Sequence, residues 1–93
     1  MIRTILDTET DKVWRGIVSR KLPRDIQDVA RRKLRMLNNV ERVDELRIPP
    51  ANRLEKLSGN REGQWSIRIN DQWRICFRFE NGEATDVEIT DYH

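Results

Sequence analysis

Cysteine and histidine each occur once in the 93 residues, as Cys76 and His93. One thiol excludes an internal disulfide framework, and a single histidine beside it excludes the usual clustered zinc sites, so the chain is expected to be reduced, free of metal and cofactor, and cytoplasmic. Apolar residues are also sparse, at 37% against an equal 37% of charged residues. No apolar run nears the ~20 residues that cross a bilayer, and Met1-Ile2-Arg3-Thr4 is unlike a signal peptide, so no membrane association is expected. With 4 glycines and 3 prolines there is no linker, repeat or low-complexity stretch, and one domain over residues 1–93 is expected. A chain of this length buries roughly 60 to 70% of its unfolded surface, enough for one thin core.

Net charge is scarce as well, at +2, yet the charges are unevenly placed. Residues 1–50 carry 12 basic and 8 acidic side chains, while residues 51–93 carry 6 and 8. From Lys12 to Arg35 the count is 9 basic to 2 acidic. A local excess of that size attracts polyanions even on a nearly neutral molecule, although it also suits a simple solvated helix face.

After a β-prone Ile2–Leu6, the Thr8-Glu9-Thr10-Asp11 stretch has the form of a helix start, and Trp14, Ile17 and Val18 extend a helix to about Ser19. A second helix begins after Pro23 and stops at Asn38-Asn39. Ile26, Val29, Ala30, Leu34, Met36 and Leu37 fall on one side of it, while Asp28, Arg31, Arg32 and Arg35 fall on the other. Lys33 lies within the apolar arc, where its head must snorkel. Val43–Ile48 can add one turn before Pro49-Pro50.

The second half alternates with a period of two. Trp65, Ile67, Ile69, Trp73, Ile75, Phe77, Phe79, Val87 and Ile89 share one face; Ser66, Arg68, Arg74, Cys76 and Arg78 take the other. The tryptophans and phenylalanines are thereby assigned to the core. Because directly paired residues share a face, the parity predicts an odd loop at each hairpin: Asn70-Asp71-Gln72 at the first, and three or five residues around Gly82 at the second, against a two-residue Asn81-Gly82 turn. Helices first and strands later predict an α+β fold.

This register sets Arg68 against Arg74 on the polar face, a like-charge pair that destabilises a hairpin unless something neutralises it. Glu88 or Asp86 on the last strand can compensate internally by neutralising Arg74 or Arg78; a phosphate gripped by two guanidiniums can do so externally. Tyr92 has the parity of that face, and Asp91-Tyr92-His93 would bring a near-neutral titrating group and a phenol to the two arginines. A base for a ribose 2′-OH, cations for phosphorane charge and an acid for the leaving oxygen are the parts needed to cleave RNA without metal. No serine is placed for a Ser/His/Asp triad, and Ser58-Gly59-Asn60 with Gly63 is a turn signal, not a phosphate-binding loop.

Three segments carry a family resemblance: Arg53 to Gly63, then Trp65-Ser66-Ile67-Arg68 with Asn70-Asp71-Gln72-Trp73-Arg74-Ile75, and the terminal Asp91-Tyr92-His93. Together they resemble the HigB toxins of the RelE/ParE superfamily. The resemblance implies a RelE-like fold with two N-terminal helices on one face of a small twisted antiparallel sheet. It further implies a ribosome-dependent endoribonuclease that cuts mRNA in the A site. The partners implied are a HigA-type helix-turn-helix antitoxin, the ribosome with its mRNA, and operator DNA reached only through the antitoxin complex. By position, His93, Tyr92, Arg74, Asp91 and Glu55 would be catalytic. Arg68, Lys56 and Arg61 would hold substrate phosphates, and Arg31, Arg32 and Arg35 would contact the ribosome. Family members with a His-Pro-Leu-Lys stretch carry a histidine where this chain has Glu55 and a lysine where it has Ser58. Two alternatives stand beside this reading: a gyrase-poisoning ParE-like toxin, and a non-catalytic RNA- or protein-binding module working through the helix arginines.

Overall fold

In the computed structural model, which describes residues 1–91, the first helix, α1, spans Thr8–Trp14. Its cap is Asp7 rather than Thr8: the Asp7 carboxylate accepts the Thr10 N–H at 3.2 Å. The helix stops well short of Ser19 because Gly16 takes φ +80°, and the Gly16 and Ile17 amides fold back onto the Val13 and Lys12 carbonyls at 3.0 and 2.8 Å. Ile17 and Val18, expected on the helix face, are exposed in consequence. The chain is then pinned to the second helix, α2 (Arg24–Asn39): the buried Gln27 side chain accepts the Ser19 N–H at 3.0 Å and donates to the Ser19 and Leu22 carbonyls.

Four strands, β1 (Glu55–Lys56), β2 (Trp65–Arg68), β3 (Trp73–Glu80) and β4 (Glu83–Asp91), form an antiparallel sheet in sequence order. Both helices pack on the odd-numbered face, with Val13, Ile26, Ala30, Leu34 and Leu37 buried against Ile67, Ile75, Phe77 and Val87. The predicted α+β architecture is the observed one. Trp14, Trp65, Trp73 and Phe79 lie at the rim of this core, half-buried.

The first hairpin has the expected register, with Ile67 opposite Ile75 and Arg68 opposite Arg74. Asn70 holds its loop, its side-chain oxygen accepting the Gln72 and Trp73 amides at 2.9 and 2.7 Å. The second hairpin corrects the expectation. Asn81-Gly82 is a two-residue turn with both φ positive, at +53° and +78°. Parity is restored inside β4 instead, where the register shifts between Cys76 and Arg78 and Asp86 takes φ +51°. This bulge sets Asp86 and Val87 together opposite Phe77 and returns Val87 and Ile89 to the core face.

The outer edge of β4 is also covered. Ile2 and Ile5 form parallel bridges with Ala84 and Val87, and beyond them the buried Thr10 hydroxyl of α1 accepts the Ile89 N–H at 2.9 Å.

Between α2 and the sheet, short 3-10 turns at Val43–Arg47 and Pro50–Asn52 close the core with Leu46 and Asn52, both fully buried. The Asn52 amide donates to the Leu46 carbonyl at 3.0 Å, and its oxygen receives the Lys33 ammonium. Lys33 thus snorkels as expected, but to a protein acceptor. Asn52→Ala leaves the Leu46 carbonyl and the Lys33 ammonium without this partner, and should lower stability by about 2 kcal/mol in urea unfolding. An unchanged midpoint would show that water replaces the amide without loss.

Candidate active site on the open face of the sheet

The even-numbered side chains of β2 and β3 point away from the helices, together with Glu55 of β1 and Glu88 of β4. Pairing aligns Glu55, Ser66, Cys76 and Glu88 in a row across the sheet, with Arg68, Arg74 and Thr90 in the next. Ser66 and Cys76 are nevertheless fully buried. Arg74 lies against Ser66, and Arg61, from the Gly59–Arg61 turn, reaches Glu88 at 2.7 Å beside Cys76. Burial pushes the Cys76 thiol up, keeping it protonated at neutral pH and unreactive.

Arg74 is the most constrained cation of this face, its side chain only 12% exposed. Nε donates to Ser66 Oγ at 2.8 Å, and one terminal nitrogen donates to the Arg53 carbonyl at 2.6 Å. Arg53 has φ +44°, a left-handed backbone that non-glycine residues seldom adopt. The other terminal nitrogen stands 3.7 Å from Glu55 Oε1, whose side chain is 52% exposed. Two neutral acceptors therefore hold the guanidinium while its charge faces a solvent-accessible carboxylate.

The opposed arginines separate their charges by turning to different partners. Arg68 pairs with Asp71 of the hairpin loop, and Arg74 turns to Glu55. Of the two carboxylates expected to neutralise this face, Asp86 takes Arg78 at 3.5 Å and Glu88 takes Arg61. Ser66 and the Arg53 carbonyl are not among the site residues expected from the sequence. Ser66 had a signal, because the register pairs it with Cys76, next to Arg74 on the same face. The Arg53 carbonyl had none.

Glu55, Arg61, Arg68 and Arg74 are thus brought to one face. Lys56 is not among them: it lies opposite Trp65, with Nζ 5.7 Å from the indole centroid. Asp91 sits opposite Trp73 at the end of β4 and accepts a hydrogen bond from Gln72 at 2.9 Å. Tyr92 and His93 lie outside the described residues. The helix arginines divide: Arg32 and Arg35 are exposed, whereas the Arg31 guanidinium packs where a Gly16 side chain would be, and its Nε is buried without a hydrogen-bond partner among the described residues. Among the described residues, no group of three or more His, Cys, Asp or Glu side chains is placed to hold a metal ion.

Two helices on one face of an antiparallel sheet, with a guanidinium and carboxylate cluster on the other, define a small α+β protein of the RelE-like type. Residues 9–93 match the family described as the RelE-like toxin of type II toxin-antitoxin system HigB. The chain belongs to this HigB-like toxin family. It is 43% identical to Toxin HigB-1 of Vibrio cholerae over 70 residues, covering 75% of this chain and 74% of that protein. It is 49% identical to Endoribonuclease HigB of Proteus vulgaris over 41 residues, 44% of this chain and 45% of the relative. A YoeB-YefM complex from Staphylococcus aureus contains a chain of the same fold, with TM-score 0.58 at 16% identity, covering 100% of this chain and 95% of that one.

Proposed function

We propose that this chain is an endoribonuclease that cuts mRNA in the ribosomal A site and is held inactive by a HigA-type antitoxin. The observation that carries this reading is the clamped Arg74 guanidinium facing the accessible Glu55 carboxylate at 3.7 Å, with Arg68 paired across the hairpin. Membership of a toxin family and the likeness to a relative named an endoribonuclease support it.

In this reading the ribose 2′-OH attacks the adjacent phosphorus. Glu55 accepts the 2′-OH proton, and the bond to the 5′-oxygen breaks to leave a 2′,3′-cyclic phosphate. Arg74 and Arg68 stabilise the charge that develops on the phosphorane oxygens. Tyr92 and His93 supply the proton to the leaving oxygen, with Asp91 in support. The clamp on Arg74 serves this step because a donor already fixed in place needs no reorganisation as charge develops. Arg35, exposed on α2, contacts ribosomal RNA through its phosphates. The toxin works in the cytoplasm, and operator DNA is reached only through the antitoxin complex.

Primer extension in a reconstituted translation system tests the proposal. New 5′ ends inside codons of ribosome-bound mRNA are expected, with naked mRNA left intact. Intact transcripts on the ribosome, accompanied by gyrase-linked DNA breaks, would reassign the chain to the gyrase poisons.

A further inference from the structure

Beside the Arg68 end of the candidate site lies a groove of about 360 Å³, bounded by α2, the Pro49–Ala51 segment and the end of β2. Three cations line it, Arg32, Lys33 and Arg68, and no lining residue is acidic. Val29, Met36 and Ile69 give it an apolar wall. Lys33 is held by the Asn52 oxygen, which leaves two of its three donors for another acceptor. Burial and the neighbouring Arg32 and Arg68 together press the Lys33 pKa down, so the three cations repel one another. Asp71 offsets only Arg68, and Arg32 makes no ion pair among the described residues. The cavity has a size within the ~300–1,000 Å³ usual for ligand sites, and its lining joins three cations to an apolar wall.

We propose that this groove binds one nucleotide of single-stranded RNA flanking the scissile phosphate, with its phosphate on Arg32, Lys33 and Arg68 and its base against the Val29, Met36 and Ile69 wall. The assignment rests on the ribonuclease reading above. Arg68 is the link: it belongs to the groove and is also the cross-strand neighbour of Arg74, so a strand held at Arg74 passes Arg68 before it reaches α2. A polynucleotide carries one phosphate and one base per step, which matches cations beside an apolar wall. An acidic segment of an antitoxin would use the cations but has less need of the wall.

The test is fluorescence anisotropy of a labelled single-stranded RNA, made non-cleavable by 2′-deoxy substitution, titrated with the full chain over a range of salt. Arg32 is exposed, so Arg32→Gln should fold normally; the Arg32→Gln/Lys33→Met double variant is its stronger companion. Binding should weaken several-fold and then about tenfold or more, and the slope of log affinity against log salt should shrink by about one per charge removed. Arg20→Gln, an exposed cation outside the groove, should leave the slope at its wild-type value. A wild-type slope in the double variant would overturn the proposal, as would absence of RNA binding by the wild type at low salt. RNA binding unchanged while antitoxin binding is lost would also overturn it and assign the groove to an acidic peptide. Ribosomal cleavage with no change in slope refutes the groove alone. A changed slope without any cleavage refutes the nuclease reading and leaves the groove as an RNA site.

Discussion

Arg74→Ala is expected to reduce ribosomal mRNA cleavage by about 100-fold or more while the protein remains folded and bound to its antitoxin. The magnitude follows from removing one preorganised donor to a developing oxyanion, which costs about 10²–10³ in rate. Arg74 is preorganised in that sense: Ser66 Oγ and the Arg53 carbonyl hold it, and its side chain is only 12% exposed. Arg74→Lys should recover little of the loss. A lysine has one nitrogen and cannot donate to Ser66 and Arg53 while also facing Glu55, so the charge returns without its position. The structural cost should be modest. Truncation uncovers Ser66 Oγ, so that water can replace the lost donor there and at the Arg53 carbonyl, and it relieves the repulsion with Arg68. Primer extension paired with thermal unfolding and antitoxin pull-down separates the two effects. Undiminished cleavage by a folded Arg74→Ala protein would remove Arg74 from the mechanism.

How much of this was legible in the sequence depends on the range of the interaction. The Arg68–Arg74 opposition was readable because a strand has a period of two and the Asn70–Gln72 loop has an odd length. The same parity argument failed at Asn81-Gly82, where turn chemistry was the stronger signal and the missing residue was absorbed at Asp86, inside β4. A bulge leaves little trace in hydrophobic alternation, since it shifts the pattern by one residue without breaking it. The end of α1 has a local cause: Gly16 followed by Ile17 fits a glycine C-terminal motif. Of the site, Arg74 is readable from the strand register and Glu55 only through the family resemblance, and nothing local shows that they meet. That contact requires β1 to pair with β2, a two-residue ladder too short to give a period.

Phe77→Ala should be the most damaging single change to the fold, lowering stability by about 3–5 kcal/mol. Among the described residues Phe77 is the largest fully buried side chain, and its ring meets Phe79 edge-on at 6.4 Å and 77°. It also lies opposite the bulge, where two residues of β4 face one of β3. With Ala at this position, the space across from Asp86 and Val87 empties at the point where the ladder is already interrupted, so collapse there competes with the native register. Small domains have about 5–15 kcal/mol in total, so the variant should be partly unfolded at 37 °C. Phe77→Leu keeps much of the volume and should cost less than half as much. Urea unfolding followed by tryptophan fluorescence measures both, because Trp65 is the cross-strand partner of Phe77. A Phe77→Ala midpoint within experimental error of wild type would mean that the β3–β4 ladder and its N-terminal cover, rather than side-chain packing at the bulge, hold the register.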